Sequence, residues 1–125
     1  MNLNFDETNI QEELENIGTQ LFTGGLPAQL PDKVQNFTTG LSEALRIYGD
    51  IRQRLGAAIE MKDVIGAKKA VEDAKFFLED TVAFLKASSG VDDFRKNSYI
   101  WAKKHCSPEA AASMGVTDGT PDDYQ

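Results

Sequence analysis

Two consecutive runs of apolar residues, spaced alternately by three and four positions, dominate the pattern of this chain. The first run is Val34, Phe37, Leu41, Ala44, Tyr48, Ile51, Leu55 and Ala58, and the second is Val64, Ala67, Val71, Ala74, Leu78, Thr81 and Leu85. This spacing places the side chains of each run on one face of a helix. It predicts helices over about 32–59 and 63–87, and the short break near Glu60 to Gly66 predicts that they form a long antiparallel helical hairpin.

Bulky residues beside the second run change the picture from a two-stranded coiled coil to a wider bundle. The stripes themselves are rich in alanine, whereas Phe76, Phe77, Val82 and Phe84 lie beside the second stripe. A coiled coil needs only its seam to be apolar. The extra apolar surface therefore predicts a bundle of three or more helices built on the hairpin.

Shorter helices are predicted on both sides of the hairpin. An N-terminal helix begins near Asp6 or Thr8, carries Ile10, Leu14, Ile17 and Leu21 on one face, and ends at Thr23-Gly24-Gly25, before a loop marked by Pro27 and Pro31. The hairpin's second helix ends at Ser88-Ser89-Gly90, and a further helix runs from Asp92 or Asp93 to about His105. Ser107-Pro108-Glu109 begins a last short helix that closes at Gly115.

The last ten residues differ in character from the rest. Residues 116–125 contain a glycine, a proline and three aspartates, with little to bury. We expect them to be a mobile acidic tail. The predicted organisation is one all-α domain over residues 1–115 and a flexible tail over 116–125.

Composition is that of an ordinary water-soluble globular chain. Hydrophobic residues make up 41% and charged residues 26% of the 125 residues. The chain has no apolar run near the ~20 residues that a membrane span needs, and Met1 to Ile10 carry no signal-peptide features. With one cysteine and therefore no internal disulfide, we expect a cytoplasmic location, or a virion-associated one for a viral protein.

The formal net charge of −7 is unevenly distributed along the chain. Residues 1–32 contain acids and no lysine or arginine, whereas residues 94–105 contain four basic residues and no acid. An acidic chain disfavours general binding to nucleic acid. The basic segment keeps that function open as an alternative.

Reactive or metal-binding motifs do not emerge from the sequence. His105 and Cys106 are the single histidine and the single cysteine, and two neighbouring helical positions point about 100° apart. They are too few for a His/Cys zinc site and do not form a catalytic pair. Carboxylate pairs such as Glu12/Glu13 and Glu79/Asp80 fall on predicted helix surfaces. The sequence therefore predicts no enzyme activity, no metal and no cofactor.

Glycines interrupt the first helix of the hairpin at Gly40, Gly49 and Gly56. Each interior glycine costs roughly 0.8–1 kcal/mol relative to alanine. Gly49 and Gly56 are seven residues apart and share a face, so either another backbone packs closely there or the helix tolerates the weakness. With the phenylalanines Phe76, Phe77 and Phe84, they are the residues that we expect to contact a protein partner.

Basic and aromatic residues are interleaved in the segment 94–105. The residues that we expect to contact an anion or a nucleic acid are Arg95, Lys96, Tyr99, Lys103 and Lys104. Phe94 and Trp101, seven residues apart, are expected to pack on the bundle. The interpretation that we favour is that the basic face docks against the chain's own acidic N-terminal helix.

The pattern as a whole favours a non-enzymatic protein–protein interaction module that acts through helix faces, as an assembly subunit, adaptor or inhibitor. A homo-oligomer or a complex with another protein would bury the surplus apolar surface. Small acidic helical proteins of this kind are typical of virion components and phage accessory proteins. The alternatives are nucleic-acid binding through 94–105, or an acidic nucleic-acid mimic formed by the first 32 residues.

Overall fold

All regular secondary structure in the computed structural model, which describes residues 7–25 and 37–125, is helical. Helix α1 spans Glu7–Thr19 and continues into a π-helical stretch, Gln20–Gly25; α2 spans Thr38–Glu60, α3 Val64–Ala87, α4 Val91–His105 and α5 Pro108–Met114. The all-α prediction is confirmed. The expected loop with Pro27 and Pro31, and the expected start of the second helix near Asp32, lie outside the described residues.

The two apolar stripes form the centre of the packing. Every described member of both runs is buried or half-buried, from Phe37 to Ala58 and from Val64 to Leu85. Helix α3 packs against α1, α2 and α4, while α5 packs against α2 and α4. The expectation of a bundle wider than two helices is therefore confirmed.

Aromatic rings fill the contact between α3 and α4. Phe84 lies 4.9 Å from Phe94 and 5.9 Å from Trp101 between ring centroids, and Phe37 lies 5.3 Å from Phe94. The indole nitrogen of Trp101 donates a hydrogen bond to Thr81 Oγ1 at 3.0 Å. Phe94 and Trp101 are buried, which confirms that this face of α4 packs on the bundle.

Most helix ends follow the local signals in the sequence. The Asp63 side chain accepts a hydrogen bond from the Gly66 backbone at 2.9 Å, and Ser107 caps α5 by accepting from Ala110 N. Gly115 ends α5 with a φ of 115°, a left-handed conformation that suits glycine. Helix α4 begins at Val91 instead of at an aspartate cap. Its aspartates occupy the first turn, where the helix dipole favours acids.

Buried or partly buried hydrogen bonds of polar side chains link neighbouring helices. Tyr48 Oη donates to the Leu14 carbonyl at 2.8 Å, which links α2 to α1. Asn97 Nδ2 donates to Ser88 Oγ at 3.3 Å, and Ser88 Oγ donates to the Phe84 carbonyl at 2.8 Å. Among the described residues no buried side-chain nitrogen or oxygen lacks a hydrogen-bond partner.

The 116–125 segment packs on the bundle, contrary to the expectation that it has little to bury. Thr120 is buried and Tyr124 is half-buried, with its ring stacked on Phe84 at 5.9 Å. The partners of this segment come from α3 and α4, so its own composition gives no sign of them. Its mobility stays a prediction.

Candidate interaction surfaces

A groove between α2 and α3 carries the most exposed aromatic side chain among the described residues. Phe76 is 61% exposed. The groove has a volume of about 330 Å³, and its lining residues are Arg46, Ile47, Asp50, Ile51, Arg54, Asp73, Phe76, Phe77 and His105. We call it the Phe76 groove. Since Ile51 and Phe77 are buried core residues, its floor is continuous with the apolar interior.

Charged side chains along the Phe76 groove are held in place by ion pairs. Arg46 Nε donates to Glu43 Oε2 at 2.5 Å and Arg46 Nη1 to Asp50 Oδ2 at 3.0 Å. Arg54 Nη2 donates to Asp73 Oδ2 at 2.8 Å. Both arginine side chains remain about half exposed, at 46% and 48%. The groove therefore presents two fixed guanidinium groups beside an apolar floor.

The three phenylalanines of α3 that we expected to contact a partner differ in solvent exposure. Phe76 is exposed, but Phe77 and Phe84 are buried in the chain's own core, so their expected place on a partner surface is wrong. The cause is α4: Phe77 and Phe84 both contact Trp101, at 5.9 Å between centroids. The sequence pattern showed that they lie beside the seam but not which helix covers them.

The glycine face of α2 is open to solvent. A methyl group placed on Gly49 or Gly56 would meet no heavy atom within 4 Å. Close approach of another backbone within the described chain is therefore not the reason for these glycines. Leu45, four and eleven residues before them, shares this face and is 58% exposed. The face is a second unpartnered surface, less aromatic than the Phe76 groove.

The basic residues of α4 are partly engaged within the chain. Lys103 Nζ lies 2.9 Å from Asp122 Oδ1, Lys104 Nζ lies 3.1 Å from Asp80 Oδ1, and Arg95 Nη2 lies 3.4 Å from Asp92. Among the described residues, these acids belong to α3, to α4 itself and to the 116–125 segment. Docking on the acidic N-terminal helix is therefore wrong for the part of that helix that the structure describes, whose Glu13 pairs with Lys75 of α3.

Lys96 and Tyr99 line a second cavity of about 330 Å³ between α4 and the 116–125 segment. Its other lining residues are Ile100, Gly115, Thr117, Gly119, Thr120, Pro121 and Gln125. The structure thus brings two of the five predicted anion-contact residues together in one concave place. Lys103 and Lys104 do not line this cavity, and their amines pair with Asp122 and Asp80.

Asp80 is the centre of a polar cluster that the sequence pattern did not reveal. Its Oδ2 accepts from Tyr124 Oη at 2.5 Å and lies 2.6 Å from His105 Nε2, while its Oδ1 accepts from Lys104. Burial lowers the pKa of His105 in spite of the opposing effect of Asp80. Burial, with the nearby Asp80 carboxylate, raises the pKa of Tyr124. These shifts favour a neutral imidazole and a neutral phenol beside the Asp80 carboxylate.

Glu43 forms a second buried cluster that sequence reasoning missed. Its carboxylate accepts from Arg46, from Ser107 N at 2.9 Å and from Ser107 Oγ at 3.0 Å. The Arg46 hydrogen bond is the main reason that the pKa of Glu43 is lowered to about 2. Neighbouring Cys106 is half-buried, and burial raises the pKa of its thiol to about 12. This is an inert thiol at neutral pH.

In residues 7–25 and 37–125 no group of three or more His, Cys, Asp or Glu side chains is arranged to hold a metal ion. Within the same part of the chain, no helix combines the length and the hydropathy that a membrane crossing requires. Comparisons with models of protein families, with curated proteins and with solved structures found no match to the chain.

Proposed function

We propose that this chain is a non-enzymatic protein–protein interaction module that binds a helix of another protein chain in the Phe76 groove. The observation that carries the proposal is the 61% exposure of Phe76 beside an apolar floor. Aromatic and arginine side chains are the residues most enriched at the energetic centres of protein interfaces. The groove supplies both, from two helices that cross-link through Arg54 and Asp73.

Preorganisation supports this interpretation. Arg46 and Arg54 are two helical turns apart on α2, which corresponds to about 12 Å along the axis. Because each is anchored by a carboxylate, a partner helix would meet them in a fixed geometry and bear little of the entropy of ordering them. We also propose that α2 and α3 form an antiparallel hairpin at the centre of the bundle.

The role that we propose is that of an assembly subunit, adaptor or inhibitor. The partner is a helix from a different protein or from a second copy of this chain. A small acidic helical protein with such a surface suits a virion component or a phage accessory protein, and we propose that setting for it.

Matched surface variants test the proposal. Phe76→Asp removes the exposed ring of the groove, and Leu45→Asp removes a leucine of similar exposure, 58%, from the glycine face. We expect Phe76→Asp to abolish association, measured as a light-scattering mass at high micromolar concentration for self-association and as affinity capture for another partner. Leu45→Asp should leave both unchanged.

The proposal fails if Phe76→Asp and wild type associate equally. Loss of association in Leu45→Asp alone would instead assign the interaction to the face with Gly49 and Gly56. Circular dichroism of each variant controls for folding, since both side chains are exposed and neither substitution removes core packing.

Nucleic-acid binding through α4 is the weaker alternative. Lys103 and Lys104 bind carboxylates of the same chain, which leaves Arg95 and Lys96 as the more accessible cations of the segment. If the alternative held, oligonucleotide binding would fall steeply with salt and would be lost in Arg95→Glu plus Lys96→Glu. No contact of the described residues favours the acidic-mimic version.

A further inference from the structure

Residues 116–125 lie at a site on α3 and α4, and Val116 and Tyr124 pack against the core. The site consists of Asp80, Phe84, Asn97, Lys103 and Lys104, and we call it the α3–α4 site. The segment is not helical, and most of its side chains are exposed, apart from Val116, Thr120 and Tyr124. Its attachment therefore depends on a few specific contacts.

The aromatic part of the α3–α4 site fits a tyrosine. The Tyr124 ring stacks on Phe84 with 5.9 Å between centroids and 25° between planes. Lys104 Nζ lies 4.3 Å from the ring centroid, within range of a cation–π interaction. The Tyr124 hydroxyl donates to Asp80 Oδ2 at 2.5 Å. A phenylalanine would keep the stacking and lose the hydroxyl contact.

The basic part of the α3–α4 site fits an acidic peptide backbone. Lys103 Nζ donates to the Thr120 carbonyl at 2.8 Å and pairs with Asp122 at 2.9 Å. Asn97 Oδ1 accepts from the Gln125 backbone nitrogen at 3.0 Å. Lys103 and Asn97 thus contact two main-chain groups and one carboxylate of the segment. Another acidic segment with the same spacing of these groups could make the same contacts.

The ion pair between Lys103 and Asp122 is of the kind that exchanges readily. Asp122 is 85% exposed, and an exposed ion pair contributes only about 0–1 kcal/mol. Covalent connection through Val116 raises the local concentration of the segment, typically to the millimolar range for a short linker. The high local concentration of the segment thus keeps it bound in the α3–α4 site, and an external peptide must compete with it.

We propose that the α3–α4 site is a recognition site for an acidic peptide segment of a partner protein that carries a tyrosine two residues after an aspartate. The 116–125 segment is its intramolecular occupant and blocks it until it is displaced. The α3–α4 site adjoins the Phe76 groove through His105, which lines the groove and contacts Asp80, but the two share no lining residue. The proposal does not depend on the function assigned to that groove.

A peptide added in trans tests the proposal. The probe is a fluorescein-labelled synthetic peptide with the sequence of residues 116–125, and the protein is the full chain carrying Tyr124→Ala, which empties the aromatic part of the site. Fluorescence anisotropy at low salt should show saturable binding. Wild type should bind at least about tenfold more weakly, because its own segment competes.

Three controls make the result specific. The peptide with alanine in place of tyrosine should not bind, Lys103→Glu added to Tyr124→Ala should abolish binding, and Arg54→Ala added to Tyr124→Ala should leave it unchanged. The last control separates this proposal from the Phe76 groove.

Two results would overturn the proposal. One is a folded Tyr124→Ala chain, by circular dichroism, that binds no peptide up to millimolar concentration. The other is equal binding of the tyrosine and alanine peptides. If Tyr124→Ala does not fold, Tyr124→Phe replaces it: that variant keeps the ring on Phe84, loses the Asp80 contact, and should still bind the peptide more tightly than wild type does.

Discussion

Glu43 of α2 receives two hydrogen bonds from Ser107, the residue that caps α5: one from the backbone nitrogen at 2.9 Å and one from the hydroxyl at 3.0 Å. The two residues are 64 positions apart in sequence. Ser107 Oγ also accepts from Ala110 N. One carboxylate thereby fixes both the start of a short helix and its place against α2.

We expect Glu43→Ala to destabilise the chain by about 1–3 kcal/mol, because it leaves the Ser107 donors and the Arg46 pairing without their acceptor. Chemical denaturation followed by circular dichroism measures this. Asp50→Ala is the matched control, since it removes an exposed carboxylate that also pairs with Arg46, and its effect should stay below about 0.5 kcal/mol. Equal effects of the two substitutions would contradict the assignment.

Stability should also fall with acid through Glu43. Its pKa is lowered from 4.5 to about 2 in the folded chain, so its contribution is fully present above the unfolded pKa and is lost as the pH falls from about 5 to about 2. The difference in unfolding free energy between wild type and Glu43→Gln should therefore shrink over that range. A difference that stays constant from pH 6 to pH 2.5 would exclude the linkage.

Thr81 should control the environment of Trp101, the single tryptophan of the chain. Thr81→Val keeps the shape of the side chain and removes the acceptor of the indole N–H, which should cost about 1–3 kcal/mol and shift the tryptophan emission to shorter wavelength. Thr81→Ser, which keeps the hydroxyl, should leave the emission unchanged. The same emission from both variants would show that the hydrogen bond is unimportant.

Two glycine substitutions should have opposite signs. A Cβ on Gly18 would lie 2.5 Å from Tyr48 Oη, so Gly18→Ala should weaken the contact between α1 and α2 and lower stability. Gly56 has open space and an exposed position within α2, so Gly56→Ala should raise stability by about 0.5–1 kcal/mol. Thermal unfolding of both variants measures this, and destabilisation by Gly56→Ala would reveal a contact that the structure does not show.

Cys106 should react slowly with thiol reagents while the chain is folded. With its pKa raised to about 12, the thiolate fraction at pH 8 is smaller than that of an unperturbed thiol by roughly three orders of magnitude. Reaction with a disulfide reagent at pH 8 should therefore accelerate by about that factor in denaturant. Similar rates in folded and unfolded chains would contradict the buried position.

The helical pattern was the most predictable part of this molecule. The stripe from Phe37 to Ala58 and the caps at Asp63 and Ser107 depend on residues that are close together in the sequence, so the pattern of residue types predicts them. The burial of Phe77 and Phe84 depends on α4, and the burial of Tyr124 depends on both α3 and α4. Such contacts join residues far apart in sequence, so the spacing of apolar residues within one helix cannot predict them.

The candidate surfaces were only partly predictable for the same reason. Phe76 stood out as a bulky residue beside the stripe, and the structure leaves it exposed. Lys103 and Lys104 stood out as cations, but their partners come from Asp122 and Asp80 rather than from α1. The one available signal for the α3–α4 site was Tyr124, an aromatic residue within an otherwise polar segment.

The Asn97–Ser88–Phe84 hydrogen-bond chain has a consequence for how exactly α4 sits on α3. Aromatic contacts such as Phe84 with Phe94 tolerate sliding, because rings attract one another over a range of offsets. The Asn97 amide does not tolerate sliding, because a shift of α4 by one turn would separate its NH2 group from Ser88 and leave that buried donor without its partner. The rings thus supply the attraction between the two helices, while two buried hydrogen bonds, Asn97 to Ser88 and Trp101 to Thr81, determine their relative position.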